Sequence, residues 1–247
     1  MVEEGALAPV SKPGDPTDGG FETVAARPPQ PTGSPYAAVL WDMDGTLVDT
    51  EPYWMVTERE LAESHGAPWT EEDSLNLVGN NLIDTGLYMR KRMAVDLEPE
   101  VIVEQLLDGV IEQIRLAVPW REGARELLAD LNAAGVPCAL VTMSYWRSVE
   151  PILEFLPEGS FAAIVAGDEV ERGKPHPDPY LKAAALLGVD PADCLAIEDS
   201  NTGATSAETA GCAVLCVPNH VPIPAGEQRM FAETLVGLRA ENLPVLS

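Results

Sequence analysis

From residue 36 onward the chain alternates short, nearly unbroken apolar runs with longer segments of helical period. The runs are AAVLW (37–41), VPCALVT (136–142), FAAIVAG (161–167), CLAIED (194–199) and AVLCV (213–217). Runs so short and continuous suit parallel strands covered on both faces. Between them, REGARELLADLNAAG and NTGATSAETAG each end on glycine, which takes the left-handed position past a helix most easily, and Asp178 with Pro179 opens the helical stretch PYLKAAALLG. This order predicts an α/β fold, a doubly wound parallel Rossmann-like sheet with right-handed crossovers.

One interval breaks the alternation. Residues 51–118 hold no strand-like run; EPYWMVTERELAESHG, EEDSLNL, NLIDTGLYMRKRMAV and PEVIVEQLLDGVIEQIRLA predict three or four helices. They read as a small inserted α-helical cap domain, leaving 36–50 and 119–247 as the core. The insertion follows the first strand directly, beside the strand end where open α/β sheets bind ligands. Residues 1–35, crowded with Pro, Gly, Ala, Thr and Asp, show neither period and read as a disordered tail outside the fold. After Val217, PNHVPIP reads as a loop, and ETLVGL as a short strand or a helix.

Composition narrows the partners. A chain of 247 residues with 46% apolar content can bury a substantial core. Its formal net charge of −25 argues against nucleic acid and anionic membrane as partners. A small phosphorylated metabolite remains compatible, because one cation and a few backbone amides reverse the potential inside a cleft. Cys138, Cys194, Cys212 and Cys216 sit in apolar contexts without a CxxC pair, as buried thiols of a reducing compartment do. With no apolar run of about 18 residues and no secretory leader pattern, a cytoplasmic address is expected. The oligomeric state stays open, a monomer being favoured.

The chemistry concentrates where the predicted strands end. WDMDGTLVDT (41–50) closes the first apolar run with two aspartates one residue apart and a glycine turn; like charges that close raise each other's cost of ionising. Thr142 and Ser144 follow the second strand, Lys174 the third, Glu198 and Asp199 the fourth. A parallel sheet brings these ends to one edge. Several carboxylates around one small site suit a hard divalent cation, and a site that awaits a phosphate suits Mg²⁺. Asp42, kept ionised, is placed to attack phosphorus; Asp44 is a candidate proton donor and acceptor, with its backbone carbonyl toward the metal. Gly45 permits the turn and exposes amides to phosphoryl oxygens, Thr142 can donate to one, and Lys174 can offset the gathered charge.

DMDGTLVDT, the strand-end Thr142, GKPHPDPY and AIEDSNTG together resemble the four ordered motifs of the haloacid dehalogenase superfamily, in its helical-cap phosphatase and β-phosphoglucomutase-like branch. The resemblance covers residues 36 to about 218. It implies Asp42 as nucleophile, Asp44 as acid and base, and Thr142 and Lys174 as phosphate-binding residues; Gly45 and Ser144, at the same strand ends, are further phosphate-binding candidates. It also implies Asp42, the Asp44 carbonyl, Asp199 and Glu198 as the Mg²⁺ site. An acid/base at position 44 disfavours true dehalogenation.

The insertion departs from the phosphomutase pattern. Trp54 stands where that group has a histidine, and Asn80 and Asn81 stand where an arginine would grip a second phosphate. Trp54, Asn80 and Asn81 are therefore candidate substrate contacts, with a helix N-cap the other reading of the asparagines and core packing the other reading of Trp54, Tyr88 and Met89. Arg90, Lys91 and Arg92 read as a solvated face, or as a means of steering phosphate or of docking the insertion onto the acidic core. His176, between two prolines, reads as a rigid loop residue. The expected activity is hydrolysis of a sugar or polyol monophosphate. The alternatives are a phosphomutase, which would depend on a sugar bisphosphate, and a non-catalytic binding module, which would carry damaged motifs.

Overall fold

A computed structural model describes residues 33–77 and 82–246. The proposed tail up to residue 32 and the candidates Asn80 and Asn81 lie outside the described residues. Five apolar runs form the expected strands: β1 (Ala38–Trp41), β2 (Cys138–Val141), β3 (Ala163–Val165), β4 (Cys194–Glu198) and β5 (Ala213–Cys216). A sixth, β6 (Arg229–Phe231), completes a sheet in the order β3-β2-β1-β4-β5-β6, all parallel.

The strands alternate in side-chain direction, and the alternation sorts residues by size. Val39, Trp41, Leu140, Leu195, Ile197 and Leu215 point to one face, under α5 (Ala124–Ala133) and α6 (Trp146–Leu153). Ala38, Leu40, Ala139, Cys194, Ala196 and Cys216 point to the other. There Ala183 and Ala184 of α7 (Asp178–Leu187) and Ala204 and Ala207 of α8 (Asn201–Ala210) pack against them. Small residues on both sides let these two helices lie close to the sheet. All four cysteines are free and buried, and burial pushes each thiol well up, to about 12 at Cys138, so they are inert packing groups.

After β1, and before α5 leads into β2, the described residues make four helices: α1 (Glu51–Ser64), α2 (Glu71–Leu75), α3 (Leu82–Met93) and α4 (Pro99–Leu116). They bury an apolar cluster of their own, built on Ala62, Leu77, Met89, Met93, Ile102 and Leu106. Tyr88 and Met89 belong to that cluster, which settles them as packing residues. Trp54 instead touches this cluster, the main core and a third group made by Val103, Leu107 and Ile111, so it stands at the joint between insertion and sheet.

Three expectations change. ETLVGL is neither strand nor helix; the strand lies earlier, at Arg229–Phe231, where Arg229 is held by Glu208, Asn201 and Thr205. Its three residues, one of them charged, carry no readable period. Helix α6 has no counterpart among the expected elements, because Pro151 lies inside an eight-residue segment that reads as a break. The basic cluster of α3 is not one solvated face: Arg92 makes a bidentate pair with the buried Asp73, at 2.7 and 3.1 Å.

Candidate active site

Strand order makes the site. β1 lies between β2 and β4, the point where the order of connection reverses, and the ends of these three strands open on one crevice. Trp41 pairs in register with Leu140 and with Ile197, so the next residues, Asp42, Val141 and Glu198, stand abreast. Side-chain alternation turns Glu198 to the face covered by α7, toward Lys174 and Tyr180.

Lys174 is the centre of this arrangement. Its Nζ donates to Asp42 Oδ1 at 2.6 Å, to Glu198 Oε1 at 2.7 Å and to the Val141 carbonyl at 2.8 Å. An ammonium has three donors, and all are engaged. Burial pulls the Lys174 pKa down, but the Asp42 and Glu198 carboxylates overcome it and hold the group charged. The ammonium also stands 5.1 Å from the centre of the Tyr180 ring, while the Tyr180 hydroxyl donates to Glu198 Oε1.

Asp42, Glu198 and Asp199 each offer an oxygen within 4.8 Å of the others. Burial, and then the neighbouring carboxylate of Asp42, pushes both Glu198 and Asp199 upward. With all three ionised, three carboxylates and one ammonium leave a formal charge of −2, which a divalent cation matches. Asp42 Oδ2 is buried and has no partner. Gly45, at φ 90°, leaves the space beside Asp199; a Cβ there would fall 2.0 Å from Asp199 Oδ2. Gly203 plays the same part for Glu198, whose carboxylate lies 2.0 Å from where a Cβ would be. A crowded, hard-oxygen set with one free buried acceptor fits Mg²⁺.

Asp44 faces a different set. Its Oδ1 accepts from Thr50 Oγ at 2.6 Å, and its Oδ2 from Ser144 Oγ at 2.7 Å and Thr142 Oγ at 3.3 Å. Burial raises its pKa, the Ser144 and Thr50 hydroxyls pull it back, and the charge of Asp42 adds to the rise. Thr142 also accepts from the Ser144 amide at 2.9 Å, which fixes the loop after β2.

The structure thus gathers Asp42, Asp44, Gly45, Thr142, Ser144, Lys174, Glu198 and Asp199 at one sheet edge. It adds groups that sequence reasoning passed over: Thr50, Tyr180, Ser200 and Gly203. Ser200, not Glu198 or Asp199, caps α8, accepting from the Gly203 amide at 3.1 Å. Thr50 had one legible signal, a threonine directly before a helical segment, but its partner Asp44 is not what an N-cap predicts. His176 stays in its loop, 3.0 Å from Asp178.

Comparison with known proteins agrees with this architecture. The family model of haloacid dehalogenase-like hydrolases matches residues 36–211. Hexitol phosphatase B of Escherichia coli (strain K12) is 32% identical over 192 residues, covering 73% of this chain and 83% of that protein. The bifunctional riboflavin kinase/FMN phosphatase of Arabidopsis thaliana is 33% identical over 189 residues, or 74% of this chain; the match spans 48%, about half, of that longer relative. The crystal structure of CbbY from Rhodobacter sphaeroides in complex with phosphate superposes with a TM-score of 0.71 at 26% identity, covering 82% of this chain and 96% of that one. A family model over more than half the chain, with relatives this similar along most of its length, makes the protein a member of the haloacid dehalogenase-like hydrolases.

Proposed function

We propose that the chain is a Mg²⁺-dependent phosphatase of a small sugar or polyol monophosphate, acting through a phosphoryl group carried on Asp42. The observation that carries this reading is the pair of oxygens on Asp42: Oδ1 is held by Lys174, and Oδ2 is buried and unpartnered. Likeness to a hexitol phosphatase supports the polyol.

A carboxylate oxygen of Asp42 attacks phosphorus in line as the bond to the leaving alkoxide breaks. Asp44, its pKa raised by burial, gives that alkoxide its proton. A water then attacks the aspartyl phosphate, Asp44 takes its proton, and phosphate leaves with Asp42 restored. Lys174 keeps Asp42 oriented and offsets charge, Gly45 offers its turn to the phosphoryl oxygens, and Ser144 and Thr142 fix Asp44. Asp42, Asp199, the Asp44 carbonyl and Glu198, the last directly or through water, would hold Mg²⁺, which would supply charge neutralisation at the transferring group. Residues 51–118 act as the cap domain over the core of 36–50 and 119–247, excluding bulk water during attack.

The test is hydrolysis of a phosphate-ester panel by purified protein, with and without EDTA, beside Asp42→Asn. Activity lost in EDTA and reduced at least about 10³-fold in the variant is expected. Substantial turnover by folded Asp42→Asn would remove Asp42 from the nucleophile role. Dependence on a sugar bisphosphate would indicate a mutase instead.

A further inference from the structure

Among the described residues, the helical insertion buries two carboxyl side chains, and they differ. Asp73 is saturated: Arg92, Thr70 and Tyr88 all bond to it. Glu58 is not. It is 3% exposed, on α1, and its Oε2 is shielded from solvent without any hydrogen-bond partner. A buried carboxyl left half satisfied costs stability that an apolar side chain would not, and such a cost is commonly borne where a ligand completes the bonding.

The direction of α1 says where that ligand lies. Thr50, at the start of the helix, bonds to Asp44. Glu51 and Glu58 are seven residues apart, two turns, so they share one line along the helix, with Trp54 beside it. Burial raises the Glu51 pKa, His220 opposes this, and the charges of Asp44 and Asp49 at that end of α1 add to the rise, while Glu58 senses Glu51 at the other end. Glu58 thus stands about 10 Å farther along α1 than Glu51, roughly the reach of an extended polyol chain. Burial pushes its pKa up to about 7, Ser74 opposes this through a hydrogen bond, and Glu51 adds to it.

Resting on the phosphatase reading above, we propose that Glu58 is a substrate-recognition residue whose carboxyl accepts hydrogen bonds from hydroxyls at the non-phosphorylated end of a polyol monophosphate. The Glu58 carboxyl itself opposes a second phosphate or a carboxylate at that end. The substrate class is therefore a monophosphate whose far end is hydroxylated and uncharged.

The experiment measures kcat/KM of the wild type, Glu58→Ala and Glu58→Gln on sorbitol 6-phosphate, p-nitrophenyl phosphate and phosphoglycolate, with melting temperatures alongside. The wild type should prefer sorbitol 6-phosphate to phosphoglycolate. Alanine should lower the ratio of sorbitol 6-phosphate to p-nitrophenyl phosphate at least about tenfold, mainly through KM, and glutamine, which still accepts from a hydroxyl, should recover most of it. An unchanged ratio in folded Glu58→Ala, a glutamine variant no better than alanine, or a wild type that cleaves p-nitrophenyl phosphate but not sorbitol 6-phosphate would overturn the inference alone. A wild type that cleaves none of the three would overturn the phosphatase reading, and this inference with it. A lowered melting temperature with an unchanged ratio would assign Glu58 to the fold and not to recognition.

Discussion

Thr50 donates its hydroxyl to Asp44 Oδ1 at 2.6 Å, although it occupies the N-cap of α1 and makes no side-chain cap bond there. A threonine at that place ordinarily turns its oxygen to the amides of its own helix. Here the first helix of the insertion and the carboxyl proposed to handle protons are one hydrogen bond apart. Position of the insertion and protonation of Asp44 are thereby linked.

Thr50→Val removes a bond that holds the Asp44 pKa down against burial. The pH profile of kcat should move to higher pH, and kcat at the wild-type optimum should fall about tenfold, the size of one hydrogen bond to a charged group. A profile that superposes on the wild type would separate Thr50 from the chemistry.

Lys174→Met leaves Asp42 and Glu198 facing each other in a buried site with no cation between them. Loss of one partner from a buried ionic cluster costs about 3–5 kcal/mol. Urea unfolding in EDTA should show a lowered midpoint, and activity should be lost even with saturating Mg²⁺. Asp42→Asn should show the opposite stability effect in EDTA, since it removes one of three crowded carboxylates.

Gly203→Ala reverses the usual sign of such a change. Inside a helix, alanine in place of glycine ordinarily stabilises by about 0.8–1 kcal/mol. In α8 the new methyl would fall 2.0 Å from the Glu198 carboxylate, which Lys174 and Tyr180 hold in place. Melting temperature and kcat/KM should both fall; a stabilised, fully active variant would show that Glu198 can move freely.

Stability should depend on pH in a way that Mg²⁺ cancels. Glu198 and Asp199 are pushed up from 4.5 and 3.8 to about 7 and about 8, by burial first and then by the charge of Asp42. With folded values above the unfolded ones, the native state holds more protons between about pH 4 and 8. Their contribution is complete below pH 4 and is lost as pH rises through 7 and 8. In EDTA the melting temperature should therefore fall across that range, and the gain on adding Mg²⁺ should grow with pH. A gain equal at pH 5 and pH 8 would argue that these carboxyls do not titrate against the cation.

The apolar runs alone carried five strands, their parallel pairing and the helical interruption after the first, because continuous burial on both faces leaves little room for polar residues in a strand. DMDGT, Thr142 and the Glu198–Asp199 pair were legible for a related reason: they stand at strand ends, where an apolar run stops on a charged or hydroxylated residue; Lys174, in the loop between β3 and α7, was legible from its GKPHPDPY motif. β6 and α6 were hidden by shortness and by a polar or proline interior. What no pattern along the chain could give is which charges meet. That Lys174 spends its three donors on Asp42, Glu198 and a backbone carbonyl, that Thr50 serves Asp44 and not its own helix, and that Asp73 is satisfied while Glu58 is not, were decided by the tertiary structure. Periodicity reports whether a side chain faces solvent or core. The identity of its partner depends on strand order and helix direction, which bring together residues more than a hundred positions apart.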